Sequence, residues 1–151
     1  MIALACDHGG FEMMEHVKSF LDSEGLVYND FGTYSAESCD YPEFAIAAGR
    51  AIAGGECDKG IFICSTGIGM SMAANKISGI RAGLCSDRHS AEMTRRHNNA
   101  NVLALGAHIV DLASSLEIIR VFLNTEFDNT PRHIRRVAML DALDAERDAG
   151  R

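Results

Sequence analysis

Short apolar runs alternate along this chain with segments whose apolar residues recur every three or four positions. Ile2–Cys6 is the first run. An Asp-His-Gly-Gly turn follows, and Phe11, Met14, Val17 and Leu21 then fall on one face of a helix that Gly25 stops. Leu26–Phe31 reads as a second strand. Pro42 fits the first turn of a helix running to about Ala53, which Gly54-Gly55 closes. Gly60–Cys64 is wholly apolar, as a strand covered on both faces must be. A glycine turn then leads into a small-residue helix, Met70–Lys76. Ile80–Cys85 and Asn101–Leu105 read as further strands, and Arg88–Asn98, Leu112–Asn124 and Pro131–Arg147 as helices.

Five strands alternating with helices predict an α/β fold. The expected form is a single domain over residues 1–151, a doubly wound, Rossmann-like parallel sheet with helices on both faces. Ligands in such sheets sit beyond the C-terminal strand ends. That rule directs attention to Cys6-Asp7-His8, Cys64-Ser65-Thr66, Cys85-Ser86-Asp87 and Gly106-Ala107-His108.

Composition narrows the classes. Hydrophobic residues make up 47% and charged residues 23%, ordinary globular values that argue against disorder. A net charge of −7 removes the basic footprint that nucleic acid requires. No signal peptide and no membrane-length apolar run is visible. Five cysteines without C-x-x-C spacing argue against zinc and suit free thiols in a reducing cytoplasm.

Several strand ends carry candidate chemistry. In Ser65–Ser71, two glycines let backbone N–H groups converge where a helix begins, which suits an anion. A tight turn alone explains those glycines equally well. The P-loop and dinucleotide fingerprints are both incomplete, with Met72 where the latter needs its third glycine. Cys64 opens this turn, where a thiolate is favoured as nucleophile or base. Cys6, Cys39, Cys57 and Cys85 read as small buried hydrophobes, and Met13, Met14, Met70 and Met72 as core filler. Asp7 and His8 could meet a sugar hydroxyl and an anion, or be a cap and a surface imidazole. His97 at a helix end could be only a solvated cation. Arg132 and Arg136 share a helix face and could clamp a phosphate or simply be solvated.

Taken in order, CDHGG (6–10), DFGT (30–33), DYP (40–42), GIFICSTGIGMSMAANK (60–76), GIRAGLCSD (79–87), RRHNNANVLALGA (95–107) and RHIRRV (132–137) span nearly the whole chain. This series resembles the ribose-5-phosphate isomerase B family, which includes allose- and galactose-6-phosphate isomerases. The resemblance implies aldose–ketose isomerisation of ribose 5-phosphate through an enediolate. Cys64 matches the base, and Thr66 the residue that handles the oxygen-bound proton. His97 matches the ring-opening group, helped by Asp7. The amides of Gly67, Ile68, Gly69, Met70 and Ser71 match the enediolate pocket, beside Ser65, whose side chain either approaches the sugar or sits in the turn. His8, Arg132 and Arg136 match phosphate ligands; Tyr41 and Asn98 match groups lining the sugar. The family forms homodimers, sometimes tetramers, with each site built from two subunits. The last helix (131–147) is expected at the dimer contact and phosphate site. No metal or organic cofactor is implied.

Two positions depart from the family pattern. His108 stands where an arginine commonly meets the phosphate, and Ser65 replaces a common glycine. The alternatives are an isomerase of allose 6-phosphate or a tetrose phosphate, a non-catalytic sugar-phosphate sensor, and a flavodoxin-like nucleotide module. Cys64, Thr66 and His97 argue against the sensor. The missing second glycine fingerprint argues against the nucleotide module.

Overall fold

The computed structural model describes residues 1–150. The elements are β1 (Ile2–Cys6), α1 (Phe11–Ser23), β2 (Tyr28–Asp30), α2 (Tyr41–Ala53), β3 (Lys59–Cys64), α3 (Ile68–Ala74), β4 (Ala82–Leu84), α4 (Arg88–Asn98), β5 (Val102–Gly106), α5 (Leu112–Asn124) and α6 (Pro131–Ala149). The five strands form one parallel sheet in the order β2-β1-β3-β5-β4. The predicted doubly wound architecture is therefore the observed one.

Alternation along each central strand fills two cores. Ile2, Leu4, Ile61, Ile63, Leu103 and Leu105 face α1 and α5, where Val17, Leu21, Ile118 and Phe122 meet them. Ala3, Ala5, Phe62, Cys64 and Val102 face α2 and α3. Alanines on β1 and at positions 45 and 48 of α2 leave little bulk between that helix and the sheet. Met13, Met14 and Met70 are buried as expected, but Met72 is not: it is 62% exposed. The small-residue helix α3 spans barely two turns, and position 72 falls on its outer face.

The edge strands are shorter than their apolar runs. β2 keeps only Tyr28–Asp30 of 26–31, and β4 only Ala82–Leu84 of 80–85. Each pairs on one side alone, with three residues of its neighbour. α3 begins two residues earlier than expected, because Gly67 at φ +76° turns the chain directly into the helix. α6 runs two residues further than its apolar pattern suggested.

α4 and α5 fall where the sequence puts them because each has a strong cap. Asp87 accepts the Ser90 N–H at 2.8 Å, and Asp111 accepts the Ser114 N–H at 3.0 Å. Only His133 and Val137 of α6 are buried. That helix is instead tied across the start of β4. Asp141 accepts from Arg81 at 2.7 Å, Asp144 from the Gly79 N–H at 2.7 Å, and Asp148 from Ser78 at 2.8 Å.

The backbone N–H of Ser90 holds the Asp87 carboxyl below its usual range, and that of Ser114 does the same for Asp111. The folded protein thus binds these protons more weakly than the unfolded chain. The resulting stability is complete above the unfolded carboxylate range, near pH 4, and is lost as pH falls through the folded values. Replacing both residues by asparagine keeps the cap acceptor and removes the charge. Thermal melts between pH 2.5 and 6 should then show a shallower acid-side fall for Asp87→Asn/Asp111→Asn than for wild type; parallel curves would refute the assignment.

Candidate active site

The strand order reverses at the centre of the sheet. From β1 the chain crosses to β2 on one side, then returns past β1 to β3 on the other. β1 consequently leads to α1 on one face and β3 to α3 on the opposite face. A crevice opens between the two departing loops. Its walls are Asp7-His8-Gly9-Gly10 and Cys64-Ser65-Thr66-Gly67.

These loops touch with no space to spare. A Cβ on Gly9 would lie 2.1 Å from the Ser65 hydroxyl, and one on Gly10 would lie 2.5 Å from the Ile63 carbonyl oxygen. The Asp7 N–H donates to that same carbonyl at 3.2 Å, while its buried carboxylate accepts the Gly10 N–H at 3.1 Å. The imidazole of His8 accepts the Cys39 N–H on Nδ1 at 3.2 Å, which leaves Nε2 as its donor. Nothing in the sequence pairs positions 8 and 39; the long connection after β2 brings them together.

Cys64 ends β3 and is 5% exposed, on the α2–α3 face. Its sulfur accepts the Gly67 N–H at 3.1 Å. Such a bond is stronger to a thiolate than to a thiol. Burial, with Asp30 adding to it, pushes the Cys6 thiol up to about 12, and burial likewise raises Cys57 and Cys85. They are the inert fillers expected, whereas Cys39 is only half-buried.

The loop amides divide their work. Gly67 N–H serves the sulfur, Ile68 N–H reaches Thr66 Oγ1 at 3.3 Å, and Ser71 N–H is taken by the Gly67 carbonyl. Of the five amides from Gly67 to Ser71, those of Gly69 and Met70 have no acceptor among the described residues. Over Gly69 lies the ring of Tyr41, 2.7 Å from where a Cβ would stand. Tyr41 thus roofs the first turn of α3, a contact that no sequence signal announced.

His108 donates its N–H to the Ser65 carbonyl at 2.9 Å. Its side chain lines a cleft of about 290 Å³ with Gly9, Glu12, His16 and Asp111. A larger cleft of about 630 Å³ lies between α2 and α3, lined by Tyr41, Met72, Arg50, Lys76 and Asp148. It adjoins the Tyr41 side of the crevice rather than Cys64 itself.

The remaining site residues do not join this group within one chain. α4 delivers His97 and Asn98 to the start of β5, whereas Cys64 stands opposite Gly106 at its end. Four residues of strand separate these levels, about 13 Å at 3.3 Å each. Arg132 and Arg136, both exposed on α6, belong to the His97 end: the rings of His97 and His133 are 4.5 Å apart, and the Asp128 N–H donates to the Arg96 carbonyl. His97 is accordingly half-buried against a second ring rather than free in solvent. Asp128 was not singled out from the sequence, and His133 only as part of the basic RHIRRV segment, because burial at the start of a basic helix leaves no mark in it. Among the described residues no three His, Cys, Asp or Glu groups are placed to hold a metal, and no helix is long and apolar enough to cross a membrane.

The fold and crevice define a doubly wound α/β protein with an ionisable loop pair at its switch point. Comparison with known proteins specifies the family: a profile of the ribose/galactose isomerases matches residues 2–140, and the chain belongs to that family. Ribose-5-phosphate isomerase B of Escherichia coli is 42% identical over 97% of both chains. The solved ribose-5-phosphate isomerase B of Clostridium thermocellum superposes with a TM-score of 0.94 at 43% identity, covering 96% of this chain and 97% of that one. The Thermotoga maritima structure of a ribose 5-phosphate isomerase gives 0.91 at 45% identity, covering 93% and 97%.

Gly67 is the position on which this loop turns. At φ +76° a side chain is strained, and a Cβ would stand 2.7 Å from the Leu105 carbonyl carbon, which is backbone and cannot step aside. Gly67→Ala should lower the unfolding free energy by more than about 1 kcal/mol in urea titration. An unchanged midpoint would remove the left-handed turn from the account.

Proposed function

We propose that this protein interconverts ribose 5-phosphate and ribulose 5-phosphate by ring opening and enediolate proton transfer. The observation that carries the reading is Cys64: a thiol at the switch-point crevice whose sulfur receives a backbone N–H, beside two amides with no protein acceptor. Cys64 acts as the base. It takes the C2 proton of the open-chain aldose, the C–H electron pair forms the enediolate, and the proton returns at C1. Thr66 passes the proton between the adjacent oxygens. The N–H groups of Gly69 and Met70 meet the developing negative charge. Asp7 and Tyr41 hold the sugar, and Ser65 borders it. The phosphate is held by His8, His108, Arg132 and Arg136, with His97 opening the furanose and Asn98 beside it.

This assignment requires two chains. His97, Asn98, Arg132 and Arg136 lie at the opposite end of the sheet from Cys64, so a second copy must bring them to the crevice. The working unit is therefore a homodimer, itself able to pair into a tetramer. Apolar side chains left exposed at both ends fit such an assembly. Ile134, Met139, Leu140 and Leu143 project from α6, while Ile68, Met72, Leu84 and Ile109 surround the crevice side. The free cysteines suit a reducing cytoplasm, where the substrate is a small sugar phosphate rather than nucleic acid or lipid.

Mixing two dead variants tests the shared site and the chemistry together. Cys64→Ala and His97→Ala should each abolish turnover of ribose 5-phosphate. In co-refolded mixtures half the dimers are mixed and one of their two sites is intact, so about a quarter of wild-type activity should return. Full turnover by Cys64→Ala alone would exclude it as the base, and no recovery on mixing would exclude the two-chain site. Erythrose 4-phosphate and allose 6-phosphate, assayed in parallel, settle which sugar is preferred.

His108 makes a separate prediction. An imidazole is shorter than a guanidinium and offers a phosphate fewer donors. Glu12 and Asp111 share its cleft and oppose a phosphate dianion. The KM for ribose 5-phosphate should fall in His108→Arg and rise in His108→Ala. Equal KM values for wild type and His108→Ala would exclude a phosphate contact.

A further inference from the structure

We propose that His133 is a positioning residue for His97, its buried ring serving as the shelf that sets the direction of the His97 imidazole during ring opening. This rests on His97 being the ring-opening group. The two rings stand 4.5 Å apart between centroids with their planes tilted by 37°. His97 belongs to the last turn of α4 and is half-buried; His133 belongs to the first turn of α6 and is 2% exposed.

A buried imidazole is an expensive way to fill space. An apolar side chain of similar size would pack there without leaving a polar atom unsatisfied. Instead Nδ1 of His133 is enclosed with no hydrogen-bond partner. The charge it faces is Asp128, whose carboxylate oxygen is 3.6 Å away. That carboxylate is itself fixed. Its other oxygen accepts the Thr130 N–H at 3.2 Å, its backbone N–H donates to the Arg96 carbonyl at 2.9 Å, and Arg96 Nη2 approaches to 3.9 Å.

The arrangement is a relay of orientation. Asp128 is held by the turn before α6 and by α4. A movement of less than about 1 Å brings it into hydrogen-bond range of His133 Nδ1. His133 cannot swing outward, because it is enclosed, so its face fixes the plane against which His97 rests. A ring-opening acid must meet the furanose oxygen at hydrogen-bond distance, and holding one imidazole by another removes the rotation that would waste most encounters.

The test separates ring opening from the later proton transfer. Ribulose 5-phosphate cannot close to a furanose, because its C5 oxygen carries the phosphate. Exchange of its C1 hydrogen with deuterium oxide therefore reports on Cys64 without ring opening. Conversion of ribose 5-phosphate needs both steps. Purified full-length His133→Ala should lose about tenfold to a hundredfold in kcat on ribose 5-phosphate, the cost of a misplaced catalytic group. Its C1 exchange, followed by proton NMR, should stay near the wild-type rate. His133→Phe, which keeps a flat ring, should recover most of the loss and guards against a folding defect in the alanine variant.

Equal loss of both rates in His133→Ala and His133→Phe, or no loss in either variant, would overturn the proposal. His97→Ala is the control for the reading beneath it. If His97→Ala splits the two rates and His133→Ala does not, the positioning role alone fails. If His97→Ala lowers both rates equally, the ring-opening assignment fails and the positioning role with it.

Discussion

β3 is flanked by β1 on one side and β5 on the other, and it is covered on both faces. Ile61 and Ile63 close one core while Phe62 and Cys64 close the other. A strand so enclosed has no solvent face on which to carry a polar group, so its chemistry can begin only where the ladder ends. The chain must also leave toward α3 while its neighbour β1 leaves toward α1. These two requirements, full burial and divergent exits, make the crevice and put a thiol at its lip. The glycines that follow from them are Gly9 and Gly10, pressed against Ser65 and Ile63, and Gly67, turned left-handed against Leu105.

Much of this was legible in the sequence, for identifiable reasons. α4 and α5 have the predicted ends because Asp87 and Asp111 are unambiguous caps. The central strands were readable because burial on both faces leaves a continuous apolar run. The edge strands were over-read: Leu26, Val27 and Ile80 are apolar but lie beyond the residues that β1 and β5 pair. Met72 misled in the same way, since the small residues around it suggest enclosure and its helix turns it outward.

At the site, Cys64, Thr66, Asp7 and His8 were marked by the strand-end rule, and the structure does gather them. That two of the five loop amides are left without an acceptor was not legible, because Gly67, Ile68 and Ser71 spend theirs on Cys64, Thr66 and the Gly67 carbonyl. His8 bound to Cys39, Tyr41 over Gly69, and His133 beneath His97 are contacts between segments distant in the chain. They depend on how loops close, which no local pattern encodes. The placement of His97 at the far end of the sheet follows from the topology, since every helix in a parallel α/β fold returns the chain to the strand starts.

α6 gives this division a further consequence. Its tethers to Arg81, Gly79 and Ser78 fasten Arg132 and Arg136 to the body of their own chain. In the dimer proposed above, those cations would grip a phosphate seated in the other chain's crevice. The substrate would then be a fastener as well as a reactant, bridging two chains each time it binds. By mass action, a bridging ligand draws the subunits together. Saturated enzyme would hold its partner more tightly than empty enzyme, and dilution would silence the pocket before it loosened the fold.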